Sequence, residues 1–311
     1  MVLQTMTKPI NVQWDKFLEV FGEGLQRDVP LARFTAAQVG GEADFLVVAE
    51  SVDHLAFIVR HLWDLGVPFI ILGSGSNVLV SDAGVRQVVV LNRAREVAIN
   101  EADLNVWAGS GASFGQLARR ISARGYSGME WATGIPGTVG GAVYGNAGAH
   151  GRDVAGILQM AEILHQDIGR SQWTVEQMGY SYRSSTLKRE VNHAVILSAH
   201  FRFIQSTLEV VKLQVEEFSN KRKETQPPGA SMGSMFKNPP GDYAGRLIEL
   251  AGLKGTRIGG AEISPVHANF FICDAGTKAR DIHALIQLAQ NEVFDQFGVI
   301  LELEIELVGD W

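Results

Sequence analysis

Two glycine-rich segments and a handful of polar residues carry the chemistry this sequence can offer. Gly73-Ser74-Gly75-Ser76-Asn77 follows the apolar run Pro68-Phe69-Ile70-Ile71-Leu72. Successive backbone N–H groups in such a turn can form an anion nest, although Gly, Ser and Asn also make plain hairpin connections. A dinucleotide fingerprint is excluded, because Val78 stands where the third glycine belongs and the chain continues into a strand instead of opening a helix. A P-loop is excluded by the absence of any Gly-Lys pair. The denser segment, GMEWATGIPGTVGGAVYGNAGAHG from Gly128 to Gly151, has seven glycines between Gly134 and Gly151. So many small residues leave few side chains to fill a core and cost chain entropy on folding. Either something flat or phosphorylated lies against this backbone, or the segment is a glycine-rich turn packed on a sheet.

Arg183 stands beside Tyr182 and near Tyr180. Its planar fork can hold a carboxylate bidentately while staying charged, and by itself it also reads as an exposed arginine on a strand. Ser234, in Gly233-Ser234-Met235-Phe236-Lys237-Asn238-Pro239, is on its own a linker serine, since acid–base catalysts usually titrate near the working pH. Leu301-Glu302-Leu303-Glu304-Ile305-Glu306-Leu307 alternates so that three carboxylates share one face of an expected strand; the plain reading of that face is solvated. His267 reads as a packed histidine beside Phe270 and Phe271. No histidine pair has metal-ligand spacing with a carboxylate partner, so no catalytic metal is expected. Cys273, in an apolar strand, reads as an inert buried thiol.

These residues need elements to position them. Strands are expected at 45–48, 68–72, 78–80 and 87–91, with a helix after the N-cap Ser51 whose buried face is Val52, Leu55, Ala56, Val59, Leu62 and Trp63 and which stops at Gly66. Ser113 and Gln116 mark a capping box for a helix ending at Gly125. Residues 157–204 read mainly as strand, and a helix over about 208–224 leads into Thr225-Gln226-Pro227-Pro228-Gly229, the best linker in the chain. Beyond it, helices at about 243–251 and 279–297, short strands within 262–272 and a final strand at 300–308 are expected.

Composition removes several classes. At 311 residues the chain has room for about two domains, and 46% apolar content supplies ordinary cores. A net charge of -7 gives no basic field for nucleic acid. A single cysteine excludes an intramolecular disulfide and multi-cysteine metal sites and suits a reducing compartment. The longest apolar run is far below the ~18 residues of a membrane helix, and residues 1–10 lack a signal peptide's apolar stretch, so a cytoplasmic protein with no membrane partner is expected. Glycine, 34 of 311, is in excess while proline is only 9, so the excess is not linker.

In sum of motifs the chain resembles the UDP-N-acetylenolpyruvoylglucosamine reductase family. The resemblance spans nearly all of it: Thr35 to Val39-Gly40-Gly41, LGSGSNVLV at 72–80, GIPGTVGGAVYGNAGAHG at 134–151, Tyr182-Arg183-Ser184-Ser185, GSMFKNP at 233–239, AGRLIELAGLKG at 244–255, HANF at 267–270 and LELEI at 301–305. It implies an α+β protein with the vanillyl-alcohol-oxidase (PCMH-type) FAD-binding fold of two subdomains plus a C-terminal α/β substrate-binding domain, of the family's second type, which lacks a tyrosine loop. The implied division is an extension at 1–30, FAD-binding subdomains at 31–100 and 101–224, and a UDP-sugar domain at 225–311. The implied activity is NADPH-dependent reduction of an enolpyruvyl ether through non-covalent FAD in peptidoglycan precursor synthesis, by a monomer or weak homo-oligomer. An oxidase of the same fold and a flavin- or nucleotide-sugar-binding protein without turnover are the rival readings.

By the same resemblance, Arg183 stabilises the charge that develops on the substrate, Ser234 donates a proton, and Glu304 orients and polarises the reacting end. Gly73, Ser74, Gly75, Ser76 and Asn77 would cradle the FAD pyrophosphate. Gly134, Ile135, Pro136, Gly137, Thr138, Gly140, Gly141 and Ala142 would lie along the flavin, with Thr133 and Thr138 as donors to its oxygens. Tyr182, Lys237 and Asn238 would bind substrate. Two positions depart from the family pattern: Glu306, where arginine is common, and His150, where tyrosine is common.

Overall fold

The computed structural model describes residues 14–190 and 193–311. Its first sheet runs Leu25–Pro30, Glu42–Ala49, Val85–Asn92, Phe69–Leu72 in spatial order. The last three strands are mutually parallel. Val88, Val89, Val90 and Leu91 are all buried, as a parallel strand covered on both faces requires. The crossover between the second and fourth strands in this order is the helix Val52–Asp64, capped as expected by Ser51, whose hydroxyl accepts from the His54 amide at 3.1 Å. Its buried face is the expected one with Ile58 added and Trp63 only partly covered. Gly66, at φ +64°, ends the turn that follows.

Leu25–Pro30 corrects the sequence reading, which left it in the extension: it pairs antiparallel with Glu42–Ala49. Only Leu25 and Val29 of this strand are buried, Asp28 sits at φ +50° and Pro30 closes it. A polar, proline-ended edge strand has little apolar alternation to announce it. Residues 1–13 of the expected extension lie outside the described residues.

The second sheet is antiparallel, in the order Gly169–Thr174, Leu158–His165, Ala194–Arg202, Asn105–Gly109, Val97–Asn100. The stretch 157–204 is therefore less uniformly strand than its composition suggests, with helical turns at Val175–Met178 and Thr186–Arg189. On one face lies the helix Phe114–Ser122, begun by Ser113 and ended before Gly125; Phe114 packs at 5.8 Å from Trp131 and 5.7 Å from Phe201. On the other, Leu164, Val195 and Leu197 join the core of the first sheet's helix, so the two sheets share apolar material.

The remaining chain comprises the helices Leu208–Thr225, Ala244–Leu250 and Ala279–Phe297 and a three-stranded antiparallel sheet of Arg257–Ile258, Ala261–Ile263 and Phe271–Cys273. Ile282, Leu285, Ile286, Ala289 and Val293 bury one face of the last helix in a core with Phe236, Phe271, Leu301 and Ile305. The expected final strand is shorter than its alternation implied. Only Glu306–Val308 is strand, and it pairs parallel with Val78–Val80. Upstream, the backbone is spent otherwise: Lys237 N–H donates to Glu302 O at 2.8 Å and Glu304 N–H to Met235 O at 2.9 Å. Through these bonds the chain's end stitches the C-terminal region to the first glycine turn. No helix among the described residues is long and apolar enough to cross a membrane.

Candidate active site

The first glycine turn is held open by its neighbours. The carbonyl of Gly75, at φ +61°, accepts from Ala36 N–H at 2.9 Å, and a Cβ on this residue would lie 2.2 Å from Phe34 O. The amides of Ser74, Gly75 and Ser76 donate to nothing among the described residues. The second glycine segment lies directly against this turn. A Cβ on Gly73 would meet Thr138 Oγ1 at 2.6 Å, and one on Gly137, at φ +118°, would meet Ser76 Oγ at 3.0 Å. Gly134, Pro136 and Gly141 are open to solvent, while Ile135 is half-buried and Ala142 buried in the core beneath. Unengaged amides beside two glycine-rich runs fit a dinucleotide cofactor: the amides suit a pyrophosphate, and the glycines within 134–141 leave room for a flat ring.

The two threonines differ. Thr138 begins the helix Val139–Gly145, its Oγ1 accepting from Gly141 N–H at 3.4 Å. Thr133 is buried with its hydroxyl donating to Glu130 O at 2.9 Å, so its proton faces the protein. Gly140 is fixed by its amide, which donates to Ser110 O at 2.8 Å.

Arg183 is not on a strand. It lies in a tight turn closed by reciprocal Ser181 and Ser184 backbone bonds, both 3.1 Å, and holds φ +55°. A non-glycine residue there is strained and is kept by its surroundings. Its Nε donates to Glu304 Oε1 at 2.6 Å and its Nη2 to Gly148 O at 2.9 Å. Gly148 is itself closely packed, since a Cβ there would lie 2.7 Å from Arg152 O and 3.2 Å from Arg183 Nη1. The guanidinium also covers the Tyr182 ring at 5.2 Å.

Ser234 adjoins Glu304 through the Met235–Glu304 bond. Its segment is fixed by Asn269, a buried side chain that sequence reasoning passed over: Oδ1 accepts from Phe236 N–H at 2.9 Å, Nδ2 donates to Phe236 O at 2.8 Å, and the Asn269 carbonyl accepts from Met235 N–H at 2.8 Å. The signal was present in the HANF tetrapeptide, yet nothing in a sequence says which loop a buried amide will hold. No hydrogen bond among the described residues engages the Ser234 hydroxyl. Asn238 meets Tyr182 through its amide, which donates to the phenol oxygen at 3.4 Å, and its Oδ1 accepts from Ala244 N–H at 3.1 Å. Thus Tyr182, Arg183, Ser234, Asn238 and Glu304 come together from three distant parts of the chain. Asn77 ties them to the glycine turn, its Nδ2 donating to Glu304 O at 3.1 Å.

The three glutamates do not share a solvated face. Each finds a cation from another segment: Glu302 with Lys237 at 3.2 Å, Glu304 with Arg183 at 2.6 Å, Glu306 with Lys188 at 2.7 Å. Glu304 and Glu306 both pair with the 183–188 segment, and Glu302 with the 233–239 segment. Burial, with the Glu306 charge nearby, pushes the Tyr144 phenol up to about 12. His150, at φ +54°, stacks on Phe218 at 4.5 Å, and burial with the nearby Lys221 and Arg222 charges lowers its pKa. His267 is packed as expected, edge-on to Phe270 with Nδ1 accepting from Asn269 N–H, and burial lowers its pKa. The Cys273 thiol is pushed up to about 12 by burial and the charges of Asp274 and Asp281. No group of three or more His, Cys, Asp or Glu side chains suited to a metal ion occurs among the described residues.

The model of an FAD binding domain matches residues 43–167, and that of the UDP-N-acetylenolpyruvoylglucosamine reductase C-terminal domain matches 224–308. UDP-N-acetylenolpyruvoylglucosamine reductase of Chloroflexus aggregans is 40% identical over 289 residues, 91% of this chain and 97% of that protein. The Bacillus subtilis (strain 168) protein of the same name is 41% identical over 282 residues, 90% and 92% of the two chains. The crystal structure of the Thermus caldophilus reductase superposes with TM-score 0.77 at 33% identity, covering 91% of this chain and 98% of that one. The fold is accordingly the PCMH-type FAD-binding fold, α+β in content, and the motifs noted in the sequence fall on the segments just described. With such identity sustained over nine-tenths of its length, the chain belongs to the UDP-N-acetylenolpyruvoylglucosamine reductase family.

Proposed function

We propose that this protein reduces the enolpyruvyl ether of UDP-N-acetyl-3-O-(1-carboxyvinyl)-glucosamine to UDP-N-acetylmuramate, with NADPH as reductant and non-covalent FAD as carrier, and that it does so in the cytoplasm as a monomer or weak homo-oligomer. The observation that carries the reading is the junction of the Arg183–Glu304 pair with the Ser234 segment, tied through Asn77 to the glycine turn. The chemistry FAD supplies when bound is hydride transfer, taken from NADPH and given to the substrate's methylene carbon. Everything else falls to the chain. The 73–77 turn would hold the pyrophosphate with its unengaged amides, and the 133–142 segment would form the wall beside the ring. Within that segment Thr138 is the better donor candidate than Thr133, whose hydroxyl already donates to Glu130 O.

Hydride arrival at the methylene carbon leaves negative charge on the neighbouring carbon and its carboxylate. Arg183 would take that carboxylate with the N–H groups that Glu304 and Gly148 leave unused, in a preorganised contact that needs no rearrangement as charge develops. Glu304 fixes the fork and offsets part of the cation's burial. Ser234 would protonate the carbon from its unengaged hydroxyl; a carbanion is basic enough to accept from so weak an acid if the donor is positioned, and the alkoxide regains a proton from solvent. Tyr182, Lys237 and Asn238 would meet the UDP-sugar. In domain terms, residues 31–100 and 101–224 would serve FAD and 225–311 the UDP-sugar, with Leu25–Pro30 added to the first. Anaerobic reduction with NADPH followed by the enol ether tests this: the flavin band should bleach, then return as UDP-N-acetylmuramate forms. A flavin reoxidised only by oxygen would refute it.

A further inference from the structure

We infer that Lys188 is a positioning residue for the reduction of the substrate: through its ion pair with Glu306 it holds Arg183 and Glu304 in the geometry that meets the reacting carboxylate. The inference rests on the reading above, in which Arg183 takes that carboxylate.

Lys188 lies in the helical turn Thr186–Arg189, which follows the Arg183 turn directly. Ser185 joins the two. It is fully buried, and its hydroxyl donates to Tyr144 O at 2.7 Å while accepting from Lys188 N–H at 3.2 Å. The start of the turn is thereby fastened to the helix Val139–Gly145, which continues the second glycine segment. From there the Lys188 ammonium reaches Glu306 Oε1 at 2.7 Å, lying 5.9 Å from the centroid of the Tyr144 ring. Only 16% of the Lys188 side chain is exposed, against 35% for Glu306. An exposed pair contributes little, because water competes for both charges. This one forms largely away from water, and removing either partner leaves the other without its counter-charge.

Glu306 is fixed from the opposite side. Its N–H donates to Asn77 O at 2.9 Å, and its strand pairs onward with Val78–Val80. Asn77 Nδ2 in turn donates to Glu304 O at 3.1 Å. Glu304 and Glu306 are thus both anchored to the first glycine turn, and the 183–188 segment meets them twice, Arg183 Nε on Glu304 at 2.6 Å and Lys188 on Glu306. A single contact is a pivot about which the segment can swing; a second one stops the swing. The difference falls on Arg183, whose φ of +55° is held against its backbone preference and whose fork must present its remaining N–H groups to a carboxylate in one plane. Charge on the substrate grows as hydride arrives, so a displaced fork loses more in the transition state than in the bound ground state. Misplacement of a reacting group by about 1 Å can cost about a hundredfold. Losing one of two tethers should cost less, about tenfold.

The test follows both half-reactions by anaerobic stopped flow in wild type, Lys188→Met, Lys188→Arg and Glu306→Gln, and repeats Lys188→Met and Glu306→Gln in an Arg183→Ala background. Lys188→Met and Glu306→Gln should each lower the limiting rate of reoxidation by the enol ether about tenfold, change its half-saturating concentration less than about threefold, and leave flavin bleaching by NADPH at the wild-type rate. Lys188→Arg, which keeps the pair, should retain most of the rate. In the Arg183→Ala background neither substitution should slow reoxidation further, since a residue that acts through Arg183 has nothing left to position; a merely structural role would add its loss there too. If Lys188→Met does not fold, Glu306→Gln carries the same cycle. Wild-type reoxidation in both single variants overturns the inference, as does a full further loss on top of Arg183→Ala. A raised half-saturating concentration at unchanged limiting rate overturns it in favour of a direct substrate contact, and equal slowing of bleaching in favour of a disturbed cofactor site. A wild-type protein whose reduced flavin is not reoxidised by the enol ether would sink the underlying reading, whereas normal wild-type turnover with unaffected variants sinks only this one.

Discussion

Replacing Arg183 separates fork geometry from charge. Of the five N–H donors on a guanidinium, Nε is committed to Glu304 and one Nη2 hydrogen to Gly148 O. The Nη1 pair and the second Nη2 hydrogen remain for the substrate carboxylate. Arg183→Ala removes that contact and also leaves Glu304, only 16% exposed at its side chain, as an unpaired carboxylate where another must bind. A charge-assisted contact in such a site is worth about 3 kcal/mol, or a hundredfold in rate. In Arg183→Lys the ammonium has three donors on one atom, and holding Glu304 and Gly148 leaves it one at most. It should therefore recover less than tenfold of the loss. Stopped-flow absorbance of prereduced protein mixed with the enol ether measures the affected step, while flavin reduction by NADPH in the same variants should remain near the wild-type rate. Because the pair also ties the 181–184 turn to the 302–304 segment, thermal stability should fall by about 1–3 kcal/mol, and the kinetics are compared below that transition. Wild-type reoxidation in Arg183→Ala, or in Arg183→Lys, would refute the reasoning.

Four further outcomes follow from the same geometry. Ser234→Ala should leave anaerobic flavin bleaching intact and slow reoxidation by ~10²- to 10⁴-fold, with Ser234→Cys faster than Ala; equal slowing of both half-reactions in stopped flow would mean a disturbed cofactor site. Gly75→Ala, which forces a Cβ against Phe34 O at φ +61°, should cost ~1–3 kcal/mol and weaken FAD retention on gel filtration, whereas wild-type retention would remove the turn from the cofactor site. Acid precipitation should release all yellow colour to the supernatant, because Cys273 is buried far along the chain from the glycine segments; colour in the pellet would show a covalent flavin. The Cys273 thiol, raised to about 12, should resist a thiol reagent at pH 8 in folded protein and react after unfolding. Since the folded state holds that proton and the unfolded state, near ~8.5, does not, the thiol's contribution to stability should fall as pH rises from about 8.5 to 12.

What the sequence made legible was whatever repeats at short range or needs no side chain. The helix 279–297 and the strand 78–80 are where periodicity put them, and the glycine segments were recognisable because absent side chains are visible in a sequence. The edge strand Leu25–Pro30 was missed because its apolar residues are too few to alternate. The Glu302–Glu306 alternation misled because a period of two describes a strand only if the backbone pairs regularly, and here Met235 and Lys237 took those bonds at a single bridge to Leu303. Motif resemblance brought Arg183, Ser234 and Glu304 to notice, but the turn that strains Arg183 and the Asn269 amide that fixes residues 235–236 are long-range facts.

The central claim is tested most directly by a single anaerobic turnover in D2O: one equivalent of NADPH, then one equivalent of the enol ether, with the flavin band and the product followed together. The account predicts bleaching, full return of the band without oxygen, and one UDP-N-acetylmuramate per NADPH, carrying deuterium on the carbon beside the carboxylate; the hydrogen delivered to the methyl comes from flavin N5, an N–H that exchanges with solvent before the enol ether is added. A flavin that stays bleached until oxygen is admitted, with the enol ether unchanged, would contradict it.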